Sequence, residues 1–288
     1  MDIKNFIVGS EGKSKVNLSK IKTDDTHSYK SKDESLTLLE KNIEKLSELQ
    51  DKLYAESKYG VIIIFQAMDT AGKDGAIKHV MTGLNPQGTS VTSFKQPSNE
   101  ELKHDYLWRA NNHLPERGQI GIFNRSYFEE LLVVRVHNLI NNENIPEKLI
   151  TNDIWNDRYK QINDYEKYLY ENGFIIIKLF LHISKDEQKQ RLLDRIDNKS
   201  KNWKFSEGDI IERTYWDKYM ACYEEMLEKT NTEHSPWYII PSDKKWFTRL
   251  VISEIIVKQL DKLDLAYPQL DNKQEQSLAS CRKKLIEE

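Results

Sequence analysis

The sequence predicts an α/β protein built on a central five-stranded parallel sheet, covered by helices on both faces. Three observations carry that reading. Five short apolar runs recur along the 288 residues with helical stretches between them, the alternation that produces right-handed βαβ crossovers. The first run enters a glycine-containing turn and leaves it in a helical segment, "FQAMDTAGKDGAIKHV" at 65–80. The polar residues that follow the runs would all fall at one sheet edge, where open α/β folds bind ligands.

Taken in order, residues 1–33 are polar and aperiodic, and read as a mobile or loosely docked arm. From 34 to 57, Leu36, Leu39, Ile43, Leu46 and Leu53 share one helical face among Glu and Lys, giving an amphipathic helix ahead of the first strand. Strands are expected at "VIIIF" (61–65), "SVTSF" (90–94), "QIGIF" (119–123), "FIIIKLFLHI" (174–183) and "WYIIP" (237–241). Immediately after them come the loop from Asp69 to Gly75, Lys95-Gln96-Pro97, Asn124-Arg125-Ser126 and Ser242-Asp243. The aromatic-rich helix at 154–170 reads as core or subunit contact, and a helix at 243–262 precedes a polar tail.

A net charge of −3, with nearly a third of residues charged, sets up no global basic field, so nucleic-acid binding is not expected and any anion site must be local. The longest apolar stretch, 174–183, is too short to span a bilayer and contains Lys178. The first residues lack the apolar core of a secretory signal, so a cytoplasmic location is expected. Cys222 and Cys281 lack metal-ligand spacing and read as reduced thiols. His79, His104, His113 and His137 likewise read as surface, packing or capping residues.

The turn at 65–80 departs from the usual phosphate-loop pattern in three ways. Ala67 stands at the first glycine, Asp74 replaces the Ser or Thr after Lys73, and Asp69 lies inside the loop. The physical essentials remain: backbone N–H groups from Ala71 through Gly72 to Gly75 at a helix N-terminus form a concave anion site, and Lys73 adds a mobile positive charge. An ordinary glycine-containing βα turn is the alternative.

A second constellation is "GIFNRSYFEELLVVRVH" at 121–137. Asn124 occupies the strand end where many such enzymes place Asp, and an amide oxygen is the weaker metal ligand, so the carboxylates must come from elsewhere. Asp69 is well placed for that, with Glu129 or Glu130 as helper; adjacent helix residues cannot share a face, so at least one of the two is expected in solvent. Arg125 can fork onto phosphate oxygens, and Arg135, ten residues further along the same helix, is either a phosphate ligand or a structural ion pair. The segment 189–204 holds Lys189, Arg191, Arg195, Lys199, Lys201 and Lys204 against Asp194 and Asp197, six cations against two acids or +4: a solvated surface or an anion track.

"AMDTAGKDG", "FNRSYFEELLVVRVH" and "NWKFSEGD" together resemble the type-2 polyphosphate kinase family, and "SFKQPSNEEL" with "HDYLWR" and "LPERG" is most similar to its third class. The resemblance runs from about 35 to 262. It implies a three-layer P-loop kinase fold like that of thymidylate kinases, with a helical lid near 185–218 inside a domain at 34–265, and a tail at 266–288. The implied activity is Mg²⁺-dependent, reversible phosphoryl transfer from inorganic polyphosphate to AMP and ADP, with Mn²⁺ as an alternative ion. A homo-oligomer, dimer or tetramer, is implied too.

Under this resemblance Asp69, Lys73 and Arg125 become the catalytic residues, with Asp69 and Glu129 holding the metal. Ala71, Gly72, Asp74, Gly75, Arg135, Arg191, Arg195, Lys201 and Lys204 bind phosphate or polyphosphate, and Lys95 and Asn124 lie on the nucleotide side. The loop Asp then makes sense, because a metal bridging it to the phosphates converts a repulsive charge into a ligand. Two other readings stay open. An ATP-dependent nucleoside monophosphate kinase would be expected to keep the Lys-Ser/Thr pair, and a non-catalytic binding module has no need for Lys73, Asp69 and Arg125 together.

Overall fold

All eight residues of β1 (Gly60–Ala67) are buried, so the strand shows no alternation and belongs at the middle of a sheet covered on both faces. The computed structural model, which describes residues 1–9 and 15–288, places it there. β2 (Thr89–Ser93), β3 (Ile120–Asn124), β4 (Phe174–His182) and β5 (Trp237–Pro241) complete an all-parallel sheet in the order β2-β3-β1-β4-β5. Phe65 pairs with Asn124 on one side and Leu179 on the other, which brings the carboxyl ends to a common edge. The chain leaves β1 towards β2 and leaves β4 towards β5, and the two diverging loops open a crevice between them.

The helices are α1 (Lys32–Glu56), α2 (Lys73–Val80), α3 (Trp108–Asn111), α4 (Val133–Val136), α5 (Ile154–Glu171), α6 (Lys185–Asp197), α7 (Glu207–Thr214), α8 (Trp216–Lys229), α9 (Lys245–Asp261) and α10 (Asn272–Glu287). Right-handed crossovers running both ways from the centre put α2, with α1 and α9 packed beside it, on one face, and α5 with α4 and α8 on the other. Ser31 starts α1 by accepting the Glu34 N–H on its hydroxyl. Leu39, Leu46, Leu49 and Leu53 form the buried face of α1, whereas Leu36 lies outside it. α9 is apolar nearly all round, from Phe247 to Leu260, because α1, α2 and the sheet all pack on it.

Three expectations change here. The described residues of the arm are docked: Ile3, Phe6, Val8 and Leu18 are buried, Val8 N–H donates to Trp237 O at 3.0 Å, and His182 Nε2–H donates to Leu18 O at 3.0 Å. A few apolar residues suffice to cover the edge of β5, and polar composition hid them. The segment 125–137 is not one helix, since Leu132 at φ −112°, ψ −87° separates a 3₁₀ turn (Tyr127–Leu131) from α4. The polar tail forms α10, with a capping box between Asp271 and Gln274 and every residue exposed.

Lys178, inside the apolar run of β4, is fully buried. Its ammonium donates to Glu166 Oε2 and to Thr230 O, both at 2.6 Å, and Glu166 also accepts from Tyr127 Oη–H at 2.8 Å and Ser235 Oγ–H at 2.7 Å. Every charge in that knot is matched. Among the described residues, no helix is long and apolar enough to cross a membrane.

Candidate active site

The turn after β1 closes with Gly72 at φ +109° as N-cap of α2, a left-handed conformation that favours glycine. The first helical hydrogen bond runs from Ala76 N–H to Gly72 O, leaving the N–H groups of Gly72, Lys73, Asp74 and Gly75 at the helix mouth. Lys73 is buried, with its ammonium 3.0 Å from Ala67 O at the end of β1. Burial, and then the Arg125 charge, pull its pKa from the ordinary 10.5 down to about 8, against the opposite pull of Asp69. Asp74 is exposed and accepts from Asn124 Nδ2 at 2.7 Å, which locks the first helical turn to the end of β3.

Arg125 is the hub of the site. Its Nη2 donates to Asp69 Oδ1 at 2.7 Å and its Nη1 to Glu129 Oε2 at 3.2 Å, so one guanidinium spans both carboxylates. Glu129 first, with Asp69 helping against burial, raises the Arg125 pKa above its already high ordinary value. Thr70 and Arg125 both have φ +64°, left-handed conformations that cost a non-glycine residue about 1–3 kcal/mol each and are retained where the surroundings enforce them.

Two cavities meet at this hub, with Phe94, Lys95 and Arg125 in the wall of each. The first, about 490 Å³, lies over the loop and is lined by nine cationic and three acidic side chains. It gathers Asp69, Ala71, Gly72, Lys73, Asp74, Gly75, Lys95, Asn124, Arg125, Arg191, Arg195, Lys201 and Lys204. The second, about 780 Å³, is more apolar and lies between the strand ends, the segment after β2, and α5. Tyr106, Val133, Leu139 and Ile145 contribute its apolar wall, and Glu129 lies at its mouth. On its lining Arg158 donates from Nε to Glu130 Oε1 at 2.6 Å and from Nη2 to Glu143 Oε2 at 3.3 Å. Burial, reinforced by Glu130, pushes the Glu143 carboxyl above the usual carboxylate range against the opposite pull of Arg158.

The structure reassigns several residues. Arg135 is outside both linings; it donates to Glu225 Oε2 and to Tyr159 Oη, both at 2.7 Å, which makes it the structural ion pair. Neither glutamate is solvated: Glu129 faces Arg125, and Glu130 is buried against Arg158, because the 3₁₀ turn gives these neighbouring side chains different partners in the wall of the second cavity. Of the cations at 189–204, Arg195 is paired with Asp209 at 2.6 Å and Lys201 with Asp194 at 2.5 Å, while Lys204 packs over the exposed Trp203 ring. Arg191 donates to main-chain carbonyls. Lys245, Thr248 and Arg249 also line the first cavity, and the two cations have no ion pair among the described residues. No motif announced them. The only signal was their i, i+4 spacing at the start of α9, directly after the Ser242-Asp243 strand end.

No group of three or more His, Cys, Asp or Glu able to hold a metal occurs among the described residues. The donor set nevertheless suits a hard divalent ion that takes one or two carboxylates and completes its shell with water and phosphate oxygens: Asp69 and Glu129 flank one guanidinium, and only one oxygen of Asp69 is taken by it.

Residues 29–268 match the model of the family described as Polyphosphate kinase 2 (PPK2). The chain is 48% identical over 285 residues to an ADP-polyphosphate phosphotransferase of Rhodopseudomonas palustris, covering 98% of each protein. It is 46% identical over 236 residues to an AMP/ADP-polyphosphate phosphotransferase of Meiothermus ruber, covering 82% of this chain and 84% of that protein. Among solved structures, the polyphosphate kinase 2 of Arthrobacter aurescens TC1 superposes with a TM-score of 0.86 at 39% identity, covering 96% of this chain and 95% of that one.

Proposed function

The chain belongs to the polyphosphate kinase 2 family, and from that premise we propose that it transfers a phosphoryl group reversibly from inorganic polyphosphate to AMP and ADP. The observation that carries the reading is the pair of cavities joined at Arg125, one strongly cationic and the other larger and more apolar. The donor polyanion takes the first and the acceptor nucleoside the second, so the acceptor phosphate meets the donor end beside Arg125 and Lys95. In-line transfer needs positioning and charge neutralisation more than covalent help.

The loop N–H groups and Lys73 hold the donor terminus, and Arg125 spans the transferring group while holding Asp69 and Glu129 in place. Asn124 keeps the Asp74 carboxylate occupied at the helix mouth. Arg195, Lys201, Lys204, Lys245 and Arg249 supply a cationic track for the rest of the donor. Phosphotransferases of this kind generally need a divalent metal; we take it to be Mg²⁺, with Mn²⁺ able to substitute, held by Asp69 and Glu129, and it would neutralise charge on the bridging phosphate oxygens. A cytoplasmic site of action fits these substrates, and the exposed Tyr168 and Tyr170 on α5 support a homo-oligomer, dimer or tetramer.

The test supplies long-chain polyphosphate and Mg²⁺ with AMP, ADP, GMP or GDP in turn, and identifies the products. ADP followed by ATP from AMP is expected. ATP from ADP alone, with AMP inert, would leave an enzyme restricted to the diphosphate; turnover with ATP plus AMP but none with polyphosphate would restore the monophosphate-kinase reading.

A further inference from the structure

Arg191 lies on α6, in the wall of the cationic cavity, where its charge suggests a hand on the donor. Its hydrogen bonds say otherwise. Nη1 donates to Thr70 O at 3.0 Å and Ala71 O at 2.8 Å, Nη2 to Ser242 O at 2.7 Å and Asp243 O at 3.0 Å, and Nε to Glu187 Oε1 at 2.7 Å. A guanidinium has five N–H donors, and all five are used. The side chain is 7% exposed.

We propose that Arg191 is a positioning residue that fastens the phosphate loop to the loop after β5, and does not itself bind polyphosphate. The geometry gives the fastening a direction. A trans peptide carries its C=O and N–H on opposite sides, so drawing Ala71 O to Arg191 turns the Gly72 N–H away from the guanidinium and towards the helix mouth. Two N–H pairs of one planar group, held by two loops, also fix the distance from that mouth to the start of α9, where Lys245 and Arg249 stand. Because Glu187 and Arg191 belong to α6, the root of the lid is joined to both loops by the same contact.

The inference rests on the phosphoryl-transfer reading above, and wild-type enzyme inert with polyphosphate would sink that reading before any variant is compared. The discriminating variant is Arg191→Lys, which keeps the charge but loses the fork. As a positioning residue, its loss should lower kcat for ADP phosphorylation by about thirtyfold or more, since small misplacements of reacting groups have effects of that order. The polyphosphate KM should stay within about twofold of wild type, and the slope of log KM against log salt should not change. Near-normal kcat in Arg191→Lys, or a polyphosphate KM raised well beyond twofold while kcat is kept, overturns the proposal.

If circular dichroism shows that Arg191→Lys does not fold, Glu187→Gln carries the test, because it loosens the clamp without removing a donor. A kcat reduced about threefold at unchanged polyphosphate KM is expected. An unchanged kcat, or a KM lowered by a guanidinium now free to reach the donor, overturns the assignment.

Discussion

Lys73 shows how much one buried ammonium depends on its surroundings. In the free protein its pKa is lowered to about 8 by burial and Arg125, so the cation assigned to the donor under the proposed function is lost as pH rises through that value. The kcat/KM for polyphosphate, which reports groups of the free enzyme, should therefore have a falling limb near pH 8. Bound polyphosphate would hold the ammonium charged, so the corresponding limb in kcat should lie at higher pH or disappear. The stability sign is opposite: the unfolded state binds this proton more tightly between the lowered and the ordinary pKa, so the contribution of Lys73 to stability rises with pH across that window. pH-rate profiles with saturating ADP check the first statement, and a limb equally placed in kcat and kcat/KM would contradict it. Lys73→Ala and Asp69→Asn should each lower turnover about a hundredfold at saturating Mg²⁺, the usual effect of removing one charge partner of the transition state.

Among the elements, the proposed donor track would be divided between α6, the turn that follows it and α9. Arg195 and Lys201 are engaged by Asp209 and Asp194, whereas Lys245 and Arg249 at the head of α9 have no such partner among the described residues. A polyanion must break the first pair of contacts and simply meet the second. Lys245→Gln/Arg249→Gln should accordingly raise the polyphosphate KM and flatten its salt dependence more than Lys201→Gln/Lys204→Gln, with the ADP KM little changed in both. Michaelis constants for the two substrates at two ionic strengths decide it. A larger effect from the lid pair, or equal weakening of both substrates, would move the track off α9.

Over the whole molecule, the knot around Glu166 joins α5, β4, the turn after β3 and the approach to β5 through Lys178, Tyr127 and Ser235. Burial lowers the Lys178 pKa while Glu166 opposes the change. Lys178→Met would strand a buried carboxylate and should cost about 3–5 kcal/mol in urea unfolding. Lys178→Met/Glu166→Leu should recover most of that loss, because an apolar pair can replace a buried ion pair of similar volume. A double variant as unstable as the single one would show that the knot holds the core by more than charge balance.

What the sequence determined by itself was local or periodic. Runs of β-branched and aromatic residues specified five strands, the alternation with helices specified a parallel sheet, and Gly72 with Lys73 marked the turn, since each signal is written within a few neighbouring residues. What only the tertiary structure decided was pairing across distance. Whether Arg135 meets phosphate or Glu225, whether Arg191 offers its donors to substrate or to carbonyls 51 and 120 residues away, and whether Lys245 and Arg249 reach the loop after β1 depend on how crossovers fold back. A charged residue's type states what it can bind; the neighbours that fill its hydrogen-bonding positions first come from elsewhere in the chain, and they decide what it does bind.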